Sequence, residues 1–240
     1  MKREIRVCKM LIAERGKNVW IAAVLEQLIL WQDIVPRDGP ENMAIDEWLW
    51  LHGPGPVLRV YQWQSSWMSL GYFSQSDDVP AGRKFVRRPT GGGVVLHGED
   101  WAYTLMVPRG EALADMPGAE SYRVIHQCLM HVLREEGVDC HLLERASGSH
   151  SHFCFVNAVV HDLIDAEGAK LAGAGQRRGK TGLLHQGSVQ VSGSGENQRA
   201  MRFAQQFCRA VHDEPPCIDW DWVVQRASDL YATAAWNQKK

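Results

Sequence analysis

The chain has 240 residues, a formal net charge of −2 and 45% hydrophobic residues. That length supports one sizeable domain with a substantial core. The near-neutral charge argues against bulk nucleic-acid binding and against a polybasic membrane surface. Cys8, Cys128, Cys140, Cys154, Cys208 and Cys217 show neither CxxC spacing nor a tight framework. With no secretory signal, this pattern reads as reduced thiols in a cytoplasm.

Residues 1–25 start basic and polar and end in an apolar run too short to span a bilayer, with no A-x-A-like cleavage site after it. They read as an extension ahead of a single domain over 26–240. Period-two patterning predicts a strand over 28–35, and Met43, Ile45 and Leu49 share a face of a helix over 42–52 that ends before Pro54 and Pro56. Short strands follow over 57–63 and 67–71. Another over 85–88 leads into Gly91-Gly92-Gly93, residues 94–97 leave that loop, and 102–107 return. A helix is predicted over 119–136, with Tyr122, Ile125, Cys128, Leu129, Val132 and Leu133 at helical spacing and Gly137 as its stop. After a strand over 138–143, the turn Asp165-Ala166-Glu167-Gly168 joins 159–164 to 169–173 as a hairpin. A strand over 184–191 and helices over 196–211 and 220–233 complete the chain. Strands without regular βαβ alternation, flanked by helices, define an α+β fold on a mixed or antiparallel sheet.

Two segments carry chemistry. Arg87-Arg88-Pro89-Thr90-Gly91-Gly92-Gly93-Val94-Val95-Leu96-His97 describes a loop that approaches a ligand closely, because glycine has no Cβ to hold it away. Backbone amides beside two arginines suit a carboxylate or phosphate. Downstream, Lys170-Leu171-Ala172-Gly173-Ala174-Gly175-Gln176-Arg177-Arg178 sets a lysine after a turn, beside small residues, ahead of Leu184-His185-Gln186-Gly187. Such a lysine can point into a groove floored by bare backbone and polarise an acyl carbonyl.

Together with Asn42-Met43-Ala44-Ile45-Asp46-Glu47, Arg59-Val60-Tyr61-Gln62-Trp63 and Ser69-Leu70-Gly71-Tyr72-Phe73-Ser74-Gln75, these segments resemble the lipoate–protein ligase and octanoyltransferase branch of the biotin/lipoate ligase family. The resemblance implies the catalytic fold shared with biotin ligases and class II aminoacyl-tRNA synthetases. It implies attachment of a lipoyl or octanoyl group to the lysine of a lipoyl-domain acceptor, such as a 2-oxoacid dehydrogenase E2 or the glycine cleavage H protein. In it Lys170 acts on the acyl carbonyl. Arg88, Thr90, Gly91, Gly92, Gly93, Val94, His97, Gly173, Gly175 and His185 hold the substrate or nucleotide, and Leu70, Gly71 and Tyr72 line an acyl tunnel. Each buried methylene of an octanoyl chain would contribute roughly 0.8 kcal/mol there.

Cys154, in Ser151-His152-Phe153-Cys154-Phe155 and eight residues before Asp162, matches the C-F pair of relatives that work through an acyl-thioester. It would take the acyl group from an acyl carrier protein and pass it to the acceptor lysine. The alternatives are an ATP- and Mg²⁺-dependent ligase forming an acyl-adenylate without a cysteine, and a non-catalytic relative that binds acylated domains or a cofactor. No prosthetic group is implied. A zinc site on the alternating His150, His152 and Cys154 is disfavoured by the lack of paired ligand spacing, so no metal is expected as a protein ligand set.

Overall fold

The computed structural model describes residues 24–145, 158–191 and 196–239. Strand β1 (Leu25–Arg37) runs parallel to both its neighbours, β2 (Val57–Trp63) and β11 (Cys208–His212). Beyond β2 the sheet turns antiparallel through β6 (Trp101–Pro108), β10 (Gly182–Val189), β9 (Lys170–Arg178), β8 (Leu163–Ile164) and β7 (His141–Leu142). The eight strands follow the order β11-β1-β2-β6-β10-β9-β8-β7. A separate three-stranded sheet, β4-β3-β5, is made by β3 (Trp67–Leu70), β4 (Lys84–Arg87) and β5 (Val94–Leu96), and it carries the triglycine loop. The α+β architecture with a mixed sheet is therefore observed.

Period-two alternation divides the main sheet into two faces. On β6, Trp101, Tyr103, Leu105 and Val107 join one core, while Ala102 and Met106 join the other. The first core is closed by α3 (Gly118–Glu135) and α4 (Glu196–Phe207), with Val124, Ile125, Leu129, Phe203 and Phe207 packed against the strands. The second is closed by α1 (Gly39–His52) and α5 (Trp220–Arg226). Of two single-turn helices, α2 (Ala112–Asp115) adds Leu113 and Ala114 to the first core and α6 (Ala234–Asn237) packs on β4. Helix α1 starts earlier than its apolar periodicity indicates because Asp38 caps it, accepting the Glu41 amide at 2.9 Å, with Pro40 in the first turn.

Two expectations are corrected. The helix predicted over 196–211 stops at Phe207, and Cys208–His212 leaves it to pair with the open edge of β1, Leu25 opposite Cys208. Hydrogen bonding along that edge outweighs helical continuation. The helix predicted over 220–233 likewise stops at Arg226, passing into a π-type turn over Ala227–Tyr231.

Candidate active site

Strands β9 and β10 build the floor. Their faces alternate, so Gln186 and Ser188 point toward α1 and the triglycine loop, while His185 points into the α3 layer. By the same count Lys170 should share the α3 face with Ala172, which is in the first core. It does not, because the β8–β9 register shifts there: Leu163 pairs with Ala172 but Ile164 pairs with Lys170. The bulge places Leu171 as well as Ala172 against the first core and turns Lys170 to the opposite face.

Lys170 Nζ lies 2.7 Å from Asp162 Oδ2, with the lysine side chain only 5% exposed. Its stem crosses Gly173, where a Cβ would stand 2.3 Å from Cε and 2.4 Å from Nζ. Glycine is therefore required for the ammonium to lie here. Asp162 is held in turn by the Val159 amide at 2.8 Å and the Tyr122 hydroxyl, which itself accepts the Ala174 amide at 2.9 Å. Burial, then Asp162, pushes the Tyr122 phenol well above its ordinary range, so it stays a donor.

The triglycine loop packs on the next floor position. A Cβ at Gly175 would meet the Gly91 carbonyl at 2.4 Å and Thr90 Oγ1 at 2.8 Å. Gly71 meets the loop from the other side, where a Cβ would fall 1.6 Å from the Gly92 carbonyl. Arg88 is buried and donates to the carbonyls of Gly91 and Gly93 at 2.9 Å each, and to Ser69. Its charge shapes the loop. Arg87, also buried, donates to the Gly71, Tyr72 and Ser74 carbonyls and, at its other end, to those of Trp236, Asn237 and Lys239. The segment over 71–74 and α6 thus share one guanidinium. Arg177 lies over the Trp50 ring and Arg178 bonds the Ala114 carbonyl and Ser121.

Beneath the loop, Thr90 Oγ1 donates to Gln186 Oε1 at 2.7 Å, and Gln186 Nε2 donates to Asp46 at 2.7 Å. Asp46 also receives Thr104 at 2.7 Å and Arg59 at 2.8 Å, and Arg59 pairs with Asp33 and Asn42. The Asn42–Glu47 and Arg59–Trp63 motifs are therefore one buried polar scaffold under the site. Such a network is stable because its members are mutually satisfied.

Lys170, Gly173, Ala174, Gly175, Gln186, Ser188, Met43, Tyr61, Trp63, Ser69, Arg88, Val95 and His97 line one cleft, with about 440 Å³ of open space including its mouth. Thr90 and Gly91 stand behind Gly175, and Gly92, Gly93 and Val94 complete the loop outside the lining. Four expected positions lie elsewhere. His185 is fully buried on the far face between Tyr103 and Tyr122 layers, its ring nitrogens 3.1 Å from Tyr103 Oη and 3.0 Å from Gln176 Nε2. Burial, then His126 and Arg178, holds it well below the ordinary histidine range. Strand alternation is the reason that it misses the groove. Leu70, expected in an acyl tunnel, packs with Met68, Val79 and Val94 in the core of the small sheet. Gly71 serves loop packing, and Tyr72 meets Trp236 edge-on beneath Lys239. Cys154, His150 and His152 lie outside the described residues. Asp162, Ser69, Asp100 and Gln186 are the site residues that motif spacing alone does not single out. Among the described residues no cluster of three or more His, Cys, Asp or Glu could hold a metal ion, and no helix is long and apolar enough to cross a membrane.

Fold and site define an α+β domain with a buried lysine presented over glycine in a cleft beside a triglycine loop. Residues 38–214 match the lipoyl protein ligase A/B catalytic domain, and the chain belongs to that family. Octanoyltransferase LipM of Kyrpidia tusciae is 37% identical over 168 residues, covering 62% of this chain and 60% of that protein. The chain thus spans about 60% of the length of the curated relative it matches. Among solved structures, protein Ta0514 of T. acidophilum with bound lipoic acid superimposes with TM-score 0.71 at 20% identity, covering 89% of this chain and 98% of that one. Lipoate-protein ligase A bound with ATP gives 0.71 at 19% identity, with the same coverages.

Proposed function

We propose that the protein transfers an octanoyl group from an acyl-thioester, carried by an acyl carrier protein, to the acceptor lysine of a lipoyl domain. The observation that carries this reading is the Lys170–Asp162 pair laid across Gly173 in the cleft. The ammonium stands where it can polarise an acyl carbonyl, and a preorganised cation in a desolvated cleft stabilises the oxyanion of acyl transfer. In this reading Cys154 forms the intermediate thioester and Lys170 stabilises both tetrahedral intermediates. The cysteine rests on the family resemblance and on the likeness to a relative named an octanoyltransferase.

The cations around the loop favour a donor without phosphates. Arg88 is committed to the Gly91 and Gly93 carbonyls, and Arg87 to those of Gly71, Tyr72, Ser74 and α6. These residues do not fit a triphosphate cradle, and no step through ATP is derived. Cytoplasmic location and a lipoyl domain of an E2 or H protein as acceptor belong to the same proposal, as does a domain beginning near residue 26.

The test is the intact mass of a lipoyl domain incubated with octanoyl carrier protein, or with octanoate plus ATP and Mg²⁺, using wild type and Cys154→Ala. Modification from carrier protein that is lost in the variant is expected. Modification only with ATP, indifferent to the substitution, would replace the thioester route by an adenylate, and no modification with either donor would leave a binding module.

A further inference from the structure

The cleft holds a second polar chain, independent of Lys170. Ser69, on β3, places Oγ 2.8 Å from His97 Nε2, and His97 Nδ1 lies 2.8 Å from Asp100 Oδ2. Ser188, on β10, donates to the same carboxylate oxygen at 2.6 Å, and the Gly98 amide donates to the other at 3.1 Å. Trp63 stacks on the imidazole at 4.0 Å and 5°, fixing the ring plane. All these side chains except Asp100 line the cleft that contains Lys170.

The partners assign the protons. Burial raises the Asp100 carboxyl, but His97, Ser188 and the Gly98 amide outweigh it and hold the group below its ordinary value, as a carboxylate. A carboxylate accepts, so Nδ1 of His97 carries the hydrogen and Nε2 is left to accept the Ser69 hydroxyl. Arg88 Nη1 donates to Ser69 Oγ at 2.9 Å, which completes a chain running one way: Arg88 to Ser69 to His97 to Asp100.

We infer that Ser69 and His97 are the proton acceptor for the amine that attacks the acyl group at Lys170, with Asp100 and Ser188 as positioning residues that hold His97 in the accepting tautomer. The inference rests on the acyl-transfer reading above. An alkylammonium has an ordinary pKa of about 10.4, so the acceptor lysine first releases a proton to solvent and then attacks as the neutral amine. The N–C bond forms, and the C–S bond breaks with its electron pair on sulfur. The proton shed by nitrogen passes to Ser69 Oγ as the serine proton moves to His97 Nε2. The imidazolium, stabilised by Asp100, returns its proton to the leaving thiolate, so the products are an amide and a thiol. The groups facing His97 are Asp100, Ser69 with the Arg88 guanidinium behind it, and the Trp63 ring.

The experiment compares two nucleophiles on the pre-acylated full chain: a lipoyl domain, and hydroxylamine, which is neutral at pH 7 and needs no base. General-base catalysis contributes on the order of 10²–10⁴-fold. His97→Gln and Asp100→Asn are expected to slow transfer to the lipoyl domain by about 100-fold while transfer to hydroxylamine stays within about threefold. An equal fall with both nucleophiles makes the chain a structural brace and overturns the inference alone. So does unchanged transfer to the lipoyl domain. Wild-type protein that acylates no acceptor overturns the functional reading, and this inference with it.

Discussion

Gly173 and Lys170 act as one unit, since the ammonium occupies the space a Cβ would take. Gly173→Ala is expected to displace the flexible end of the lysine from Asp162 and lower acyl transfer by at least about tenfold, with thermal stability little changed; single-turnover rates and a melting curve check both halves. Asp162→Asn should cost more, on the order of 100-fold, because a buried ammonium loses its charged partner. Lys170, His97 and the glycines were legible in the sequence because their motif also states their local geometry: small residues beside a cation, and a loop that cannot carry Cβ atoms. Asp162 and Asp100 were not, since an aspartate at a turn looks the same whether it faces water or a neighbouring strand. His185 shows the opposite limit. Its motif put it in the substrate groove, but its direction follows from counting faces along β10 against Gln186, which bonds Asp46 on the other side.

At the scale of elements, two guanidinium groups whose role in the sequence looked like anion binding hold backbone instead: Arg88 the triglycine loop, Arg87 the neighbouring segment over 71–74. Arg87 joins that segment to α6, and the Trp236 indole closes the contact by donating to the Arg87 carbonyl at 2.8 Å. Arg87→Ala should destabilise the protein by about 3 kcal/mol, because buried carbonyls on two elements lose a charged donor. Arg87→Lys should recover little of that, since one ammonium cannot reproduce the fork. Urea unfolding of both variants measures the difference. Helices α1 and α3 and strands β2 and β6 were legible from periodicity. The end of α4 was not, because β11 forms only where β1 offers it an unpaired edge.

For the whole molecule, the buried layer between α3 and the sheet makes stability depend on acid. His126 is fully buried, donates Nδ1–H to the His161 carbonyl at 2.6 Å, and is pushed by burial down to about 4. Below its unfolded value of about 6.5, the unfolded chain binds a proton that the folded chain refuses until near pH 4. Stability therefore rises with pH through that window, and is lost on acidification by roughly 3 kcal/mol. His185 acts in the same direction. Denaturant midpoints at pH 7, 5.5 and 4.5 should show the loss, and His126→Gln should flatten it. The register shift at Leu171 reaches further than the site it serves. It makes β9 a ruler with a reset mark: glycines beyond the mark are located by β10, and the lysine before it by the bulge. The exposed turn around Glu167 and Gly168 then carries no information about where the ammonium goes. One glycine inserted after Glu167 should leave transfer within about threefold of wild type, as exposed turn tips usually permit. Hairpin length is thereby free to drift among relatives while the reactive end of the lysine keeps its address.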